Sequence, residues 1–99
     1  MNQETTVFGR VLELSIIIQD AFSLKDKRQV IQSLVSKLRQ KFNVSVLEAG
    51  FQEQWQRSRL AIAFISTKLS LLDQIQQEVI KFIESRYPIE ITDINVSDF

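Results

Sequence analysis

The chain has 99 residues, 44% hydrophobic and 24% charged, with twelve basic and twelve acidic residues and a formal net charge of zero. That length and apolar content fit one domain, residues 1–99, able to bury a core without covalent staples. Cysteine and histidine are both absent, which removes disulfides, structural zinc sites, thiol nucleophiles and imidazole bases from consideration.

The first apolar segment, Val7–Ile18, alternates through Leu12, Leu14, Ile16 and Ile18 and predicts a strand with one apolar and one mixed face. The polar residues 1–6 before it are expected to form a disordered tail. They contain no basic leader, and the run Ile16–Ile18 is too short for a signal peptide or membrane span, so a cytoplasmic protein without membrane contact is expected. Ser23 and Asp26 then form an S-x-x-D capping box that opens a helix near Leu24. Its apolar stripe is Leu24, Ile31, Leu34, Val35, Leu38 and Phe42, and Asn43 offers a left-handed cap at its end.

Val44–Ala49 reads as a short second strand and Gly50 as its end or a bend. After the polar loop Gly50–Gln56, the segment Arg57–Ser66 is nearly continuously apolar from Leu60, as expected of a central strand. A second helix follows, capped by Ser66, Thr67 or Ser70, with Leu71, Leu72, Ile75, Val79, Phe82 and Ile83 as its stripe. Tyr87-Pro88 ends it, since proline disfavours a helical residue before it. Ile89, Ile91, Ile94 and Val96 alternate with a slip at Asp93, the signature of a bulged or edge strand. Strand, helix, strand, strand, helix, strand predicts a ferredoxin-like βαββαβ sandwich of the α+β class. Its four-stranded antiparallel sheet carries both helices on one face, with strand order 4-1-3-2.

The motifs S-L-K-D-K-R at Ser23–Arg28, K-F-N-V-S-V at Lys41–Val46 and W-Q-R-S at Trp55–Ser58 together resemble the YlxP-like family of small bacterial domains of unknown function. The resemblance spans essentially the whole chain and implies a ferredoxin-like fold. The family's genes commonly stand among those for transcription termination, translation initiation and ribosome maturation, which implies a role near RNA or the ribosome. Many relatives carry an acidic or histidine-containing segment before the tryptophan, where this chain has Gly50-Phe51-Gln52-Glu53-Gln54.

Net neutrality conceals an asymmetry: between Ala21 and Leu60 eight basic residues face three acids, giving +5 there and −5 elsewhere. On a helical wheel Lys25, Arg28 and Arg39 border one side of the first helix's stripe and Lys37 and Lys41 the other. Gln29, Ser33, Ser36 and Gln40 point outward. Such rows suit successive phosphates; equally, border lysines and arginines lay their stems over a core edge and keep their charges in water. Cations at a helix N-terminus oppose the macrodipole, which favours a use for Lys25, Lys27 and Arg28 beyond the fold. Trp55 beside Arg57 and Arg59 provides a stacking surface next to positive charge, suited to single-stranded RNA, or else a lid over the core edge.

The sequence therefore predicts a non-enzymatic module that binds RNA or a ribosomal subunit through Lys25, Lys27, Arg28, Arg39, Trp55, Arg57 and Arg59. No catalytic residue, cofactor or metal is expected. The aromatic pairs of an RNA-recognition motif are missing from Val11-Glu13-Ser15 and Leu60–Ile65. Gln19–Ser23 lacks the arginine and glycines of an acylphosphatase loop, and Glu13, Asp20, Glu48 and Glu53 read as ordinary surface acids. The alternative is a homodimerising module that uses Leu69 and Ile80 on the second helix or Val11 and Ile17 on an uncovered sheet face.

Overall fold

The computed structural model describes residues 4–99. Its elements are β1 (Phe8–Ile18), α1 (Leu24–Lys41), β2 (Ser45–Gly50), β3 (Arg57–Ser66), α2 (Leu69–Arg86) and β4 (Ile89–Asp98). Residues 1–3 of the expected tail lie outside the described residues; residues 4–7 form an exposed, irregular lead into β1. The four strands make one antiparallel sheet in the order β2-β3-β1-β4, the expected arrangement. This is the ferredoxin-like α+β fold.

Alternation decides the two faces of the sheet. Leu12, Leu14, Ile16 and Ile18 of β1 and Leu60, Ile62 and Phe64 of β3 form a buried layer. Onto it pack Ile31, Leu34 and Leu38 from α1 and Leu72, Val79, Phe82 and Ile83 from α2. A fully buried leucine is worth about 1.5–3 kcal/mol, so this layer carries the fold. The odd-numbered residues of β1 and β3 face away from both helices.

The ends of the elements follow local chemistry. Ser23 Oγ accepts the Asp26 N–H at 3.1 Å and the Asp26 carboxylate reaches back to accept the Phe22 N–H at 3.1 Å, one residue before the N-cap, so the box closes in a shifted form. Asn43 is not left-handed: α1 closes on an extended Phe42. Ser70 does not cap α2, which begins after Lys68 without a side-chain cap. Asp73, three residues beyond Ser70, pairs with Arg10 at 2.7 Å. Leu71 leaves the α2 stripe and is exposed, while Ser33 turns from solvent to bond the Tyr87 hydroxyl at 3.0 Å. The slip in β4 is a bulge: Ser15 pairs with Asp93 and Ile16 with Ile91, and the Thr92 hydroxyl between them donates to the Ser15 carbonyl at 3.1 Å.

Arg10 occupies the core phase of β1 and is 8% exposed. Each of its guanidinium nitrogens is engaged, donating to both Asp98 carboxylate oxygens at 2.7 and 3.0 Å, to Asp73 at 2.7 Å and to Gln76 at 3.0 Å. One side chain thus ties β1, the end of β4 and the first turns of α2 together. The Arg10 hydrogen bonds hold the Asp98 carboxyl below its ordinary value. A depressed folded-state pKa stabilises above the unfolded value of about 3.9, and that stability is lost as pH falls through the folded value. Thermal melts should therefore show Asp98→Asn less stable than wild type at neutral pH, with the difference closing progressively as the pH drops below about 4.

Candidate nucleic-acid interface

The start of α1 and the loop between β2 and β3 meet through Lys27. This lysine follows Leu24 by three residues and precedes Ile31 by four, so it lies on the apolar stripe and is carried into the interior. It is 1% exposed. Its ammonium donates to the Phe51 carbonyl and pairs with Glu48 Oε2 at 2.9 Å. Glu48 Oε2 also accepts the hydroxyl of the buried Ser58 at 2.6 Å. Desolvating an ammonium costs several kcal/mol, and Lys27 stays inside because these acceptors close on it.

Lys27 is therefore not a surface contact for phosphate, as its place in the basic cluster suggested. Burial withdraws its charge from solvent and Glu48 neutralises it. Glu48, correspondingly, is no ordinary surface acid.

The loop that Lys27 grips is unusual. Phe51 has φ 57°, the one positive φ at a non-glycine among the described residues. A bulky side chain in this region stores strain that the surroundings must hold in place. Two donors converge on the Phe51 carbonyl, the Lys27 ammonium and the Gln54 N–H at 3.0 Å. On the other side the Arg57 guanidinium lies over the Phe51 ring, 4.2 Å from its centroid. The Gln56 carbonyl accepts the Ile18 N–H at 2.8 Å, which fixes the far end of the loop to β1.

These contacts place the remaining basic residues. Lys25 and Arg28 are exposed on the first turns of α1, at the same end of the molecule as the loop and Arg57. Trp55, 41% exposed, stands in that loop. Arg39 lies eleven residues beyond Arg28, roughly 16 Å along the helix axis. It donates to the Val46 carbonyl of the edge strand β2 at 2.8 Å. Arg59 projects from the open sheet face and pairs with Glu13 at 3.4 Å, while Asn95 donates to the same Glu13 oxygen at 3.1 Å. The expected set thus divides: Lys25, Arg28, Trp55 and Arg57 share one end, Arg39 and Arg59 stand apart, and Lys27 is internal.

Sequence reasoning passed over Phe51, Glu48, Ser58 and Arg10. A signal for the buried group existed, because Lys27, Arg10 and Ser58 each hold an apolar-phase position, where a polar side chain demands a partner. Nothing local announced the left-handed Phe51.

No group of three or more acidic residues suited to a metal ion occurs among the described residues. No described helix is long and apolar enough to cross a membrane. A shallow open groove runs along α1, lined by Ile31, Gln32, Val35, Ser36, Arg39 and Gln40.

Fold and site together define a small ferredoxin-like domain with a braced aromatic loop and a basic helix start. The chain belongs to the family described as "Protein of unknown function (DUF503)", whose model matches residues 10–96. It is 41% identical over 80 residues to the uncharacterized protein YlxP of Bacillus subtilis (strain 168), an alignment covering 81% of this chain and 87% of that protein. The resemblance carried by Ser23–Arg28, Lys41–Val46 and Trp55–Ser58 is thereby borne out. Among solved structures, the de novo designed protein Foldit4 matches with a TM-score of 0.51 and 13% identity, covering 92% of this chain and 96% of that one; this likeness concerns the fold alone.

The brace is testable by unfolding. Lys27→Met keeps the stem and strands Glu48, so urea titration should show a loss of about 3 kcal/mol. Adding Glu48→Gln to that variant should cost far less than the sum of the two single changes, the mark of a coupled pair.

Proposed function

We propose that this domain is a non-enzymatic RNA-binding module that meets the phosphate backbone and unstacked bases of single-stranded RNA at one end. Lys25, Arg28 and Arg57 supply the charge and Trp55 the stacking surface. The observation that supports this reading is the braced loop: a strained Phe51, held by Lys27 and stacked beneath Arg57, beside the exposed Trp55. Strain retained at a surface loop is a common mark of a binding site. The first turn of α1 adds a partial positive charge from its free N–H groups, which reinforces Lys25 and Arg28 toward an anion. The family's expected genomic company, among ribosome-maturation and translation genes, favours RNA over DNA.

The mode differs from that of an RNA-recognition motif. The outward residues of β1 and β3 include Val11, Glu13, Ser15, Arg59, Ala61 and Ala63 and carry no aromatic ring. Binding is instead assigned to the rim, where charge is positive, and is expected to depend on salt.

Trp55 is the single tryptophan of the chain and reports directly on its own stacking. Titration with a single-stranded RNA oligonucleotide at low salt should quench its fluorescence, and the affinity should fall linearly on a logarithmic salt scale. Reversing Arg28 or Arg57 to glutamate should reduce the salt slope by about 0.7 for each phosphate no longer neutralised. Trp55→Ala should weaken binding about tenfold and leave the slope unchanged. Absence of binding to both the oligonucleotide and isolated ribosomal subunits at low salt would overturn the reading.

A further inference from the structure

The sheet face turned away from both helices is unpartnered, and its composition changes from one end to the other. Toward the start of β1 it is apolar: Ile65 and Phe99 are 63% and 72% exposed, with Val11 and Ala63 beside them, while Leu47, 57% exposed, stands on the edge strand level with Glu13. Gly9 and Phe99 exchange backbone hydrogen bonds at 2.8 and 2.9 Å, and the Phe99 ring occupies the space a Cβ on Gly9 would need. The absence of that Cβ lets the ring lie across the β1 backbone and widen the patch. Toward the other end the face is charged, with its signs separated across the sheet. Arg59 stands on β3, where it pairs with Glu13 of β1 at 3.4 Å, whereas Glu90 and Asp93 stand on β4.

We propose that this face binds a second copy of the chain, sheet against sheet, about a two-fold axis parallel to the strands and midway between β3 and β1. With the order β2-β3-β1-β4, that axis lays β3 over β1 of the second copy and β2 over its β4. Arg59 is the cross-strand neighbour of Ser15, so it falls over Ser15 of the second copy, between that copy's Glu13 and Asp93. Ala63 falls over Val11, and Ile65 falls over Gly9 and the Phe99 ring. At the start of β1 apolar surface meets apolar surface, and at Arg59 basic meets acidic, twice by symmetry. Ala61, Ala63 and Ser15 keep the middle of the face low enough for the usual sheet spacing of about 10 Å.

Charge and area both select this occupant. Glu13, Glu90 and Asp93 outnumber Arg57 and Arg59 on the face, which disfavours a nucleic acid there. Three strands of ten or eleven residues and one of six, about 4.8 Å apart, present on the order of 600 Å² in plan. Side-chain relief brings the accessible area near the roughly 800 Å² per partner of a standard stable interface.

Sedimentation equilibrium of the full chain at micromolar concentration tests the proposal. Wild type should run at twice 11.5 kDa. Arg59→Glu alone and Asp93→Arg alone should each dimerise at least tenfold more weakly, with circular dichroism unchanged, because each variant sets like charges against one another. Mixed in equal amounts, the two should form a heterodimer, a rescue in trans that a role within one chain cannot produce. Ile65→Glu, at the apolar end, should be monomeric and restored by neither. A wild type that stays monomeric throughout the micromolar range would overturn the proposal, as would a mixture that fails to associate.

Discussion

The ammonium of Lys27 is the group on which the geometry of the candidate interface depends. An enclosed positive charge is tolerated only where acceptors surround it, and the Phe51 carbonyl and Glu48 carboxylate perform that task. Because the acceptors lie on β2 and the loop after it, satisfying one side chain of α1 fixes the distance between the helix start and the loop. The same contact holds Phe51 in a conformation it would not adopt alone, and the Phe51 ring then becomes the platform for Arg57. A charge that does not reach solvent thus arranges the charges that do.

Arg10 performs the corresponding task at the opposite end of the sheet. It links the last residues of β4 to the first turns of α2 from beneath, with every contact made to a carboxylate or amide oxygen. β4 is an edge strand whose Ile94 and Val96 remain considerably exposed, so its end has little apolar burial to hold it. The ion pairs supply what packing does not. Asp98, which they hold, immediately precedes Phe99, whose backbone pairs with Gly9 and whose ring covers it on the open face. The two buried cations therefore organise different surfaces, the rim through Lys27 and the face through Arg10.

The two surfaces have different electrostatic characters. At the rim Lys25, Arg28 and Arg57 share one end of the molecule with the helix N-terminus, and the charge there is positive. On the open face cations and carboxylates are separated across the strands, a pattern that complements itself under rotation. A module that pairs through its sheet would present two such rims from one particle, and binding at both would raise avidity with no additional interactions at either rim.

Strand and helix periodicity in the sequence determined the order of elements, the buried layer, the sheet order, the capping box before Leu24 and the slip in β4. All but the sheet order are properties of hydrophobic phase or local hydrogen bonding, written in neighbouring residues; the sheet order follows from the handedness of the crossovers. Composition likewise placed excess positive charge between Ala21 and Leu60. What composition could not express is which charges remain free, since that depends on partners distant in sequence: Glu48 for Lys27, Glu13 for Arg59, Asp98 and Asp73 for Arg10. A lysine on an apolar stripe announces that it needs a partner and does not name it. Only the tertiary structure decided that Lys27 is a brace and Arg59 a face residue, because burial and pairing are set by where the chain returns in space.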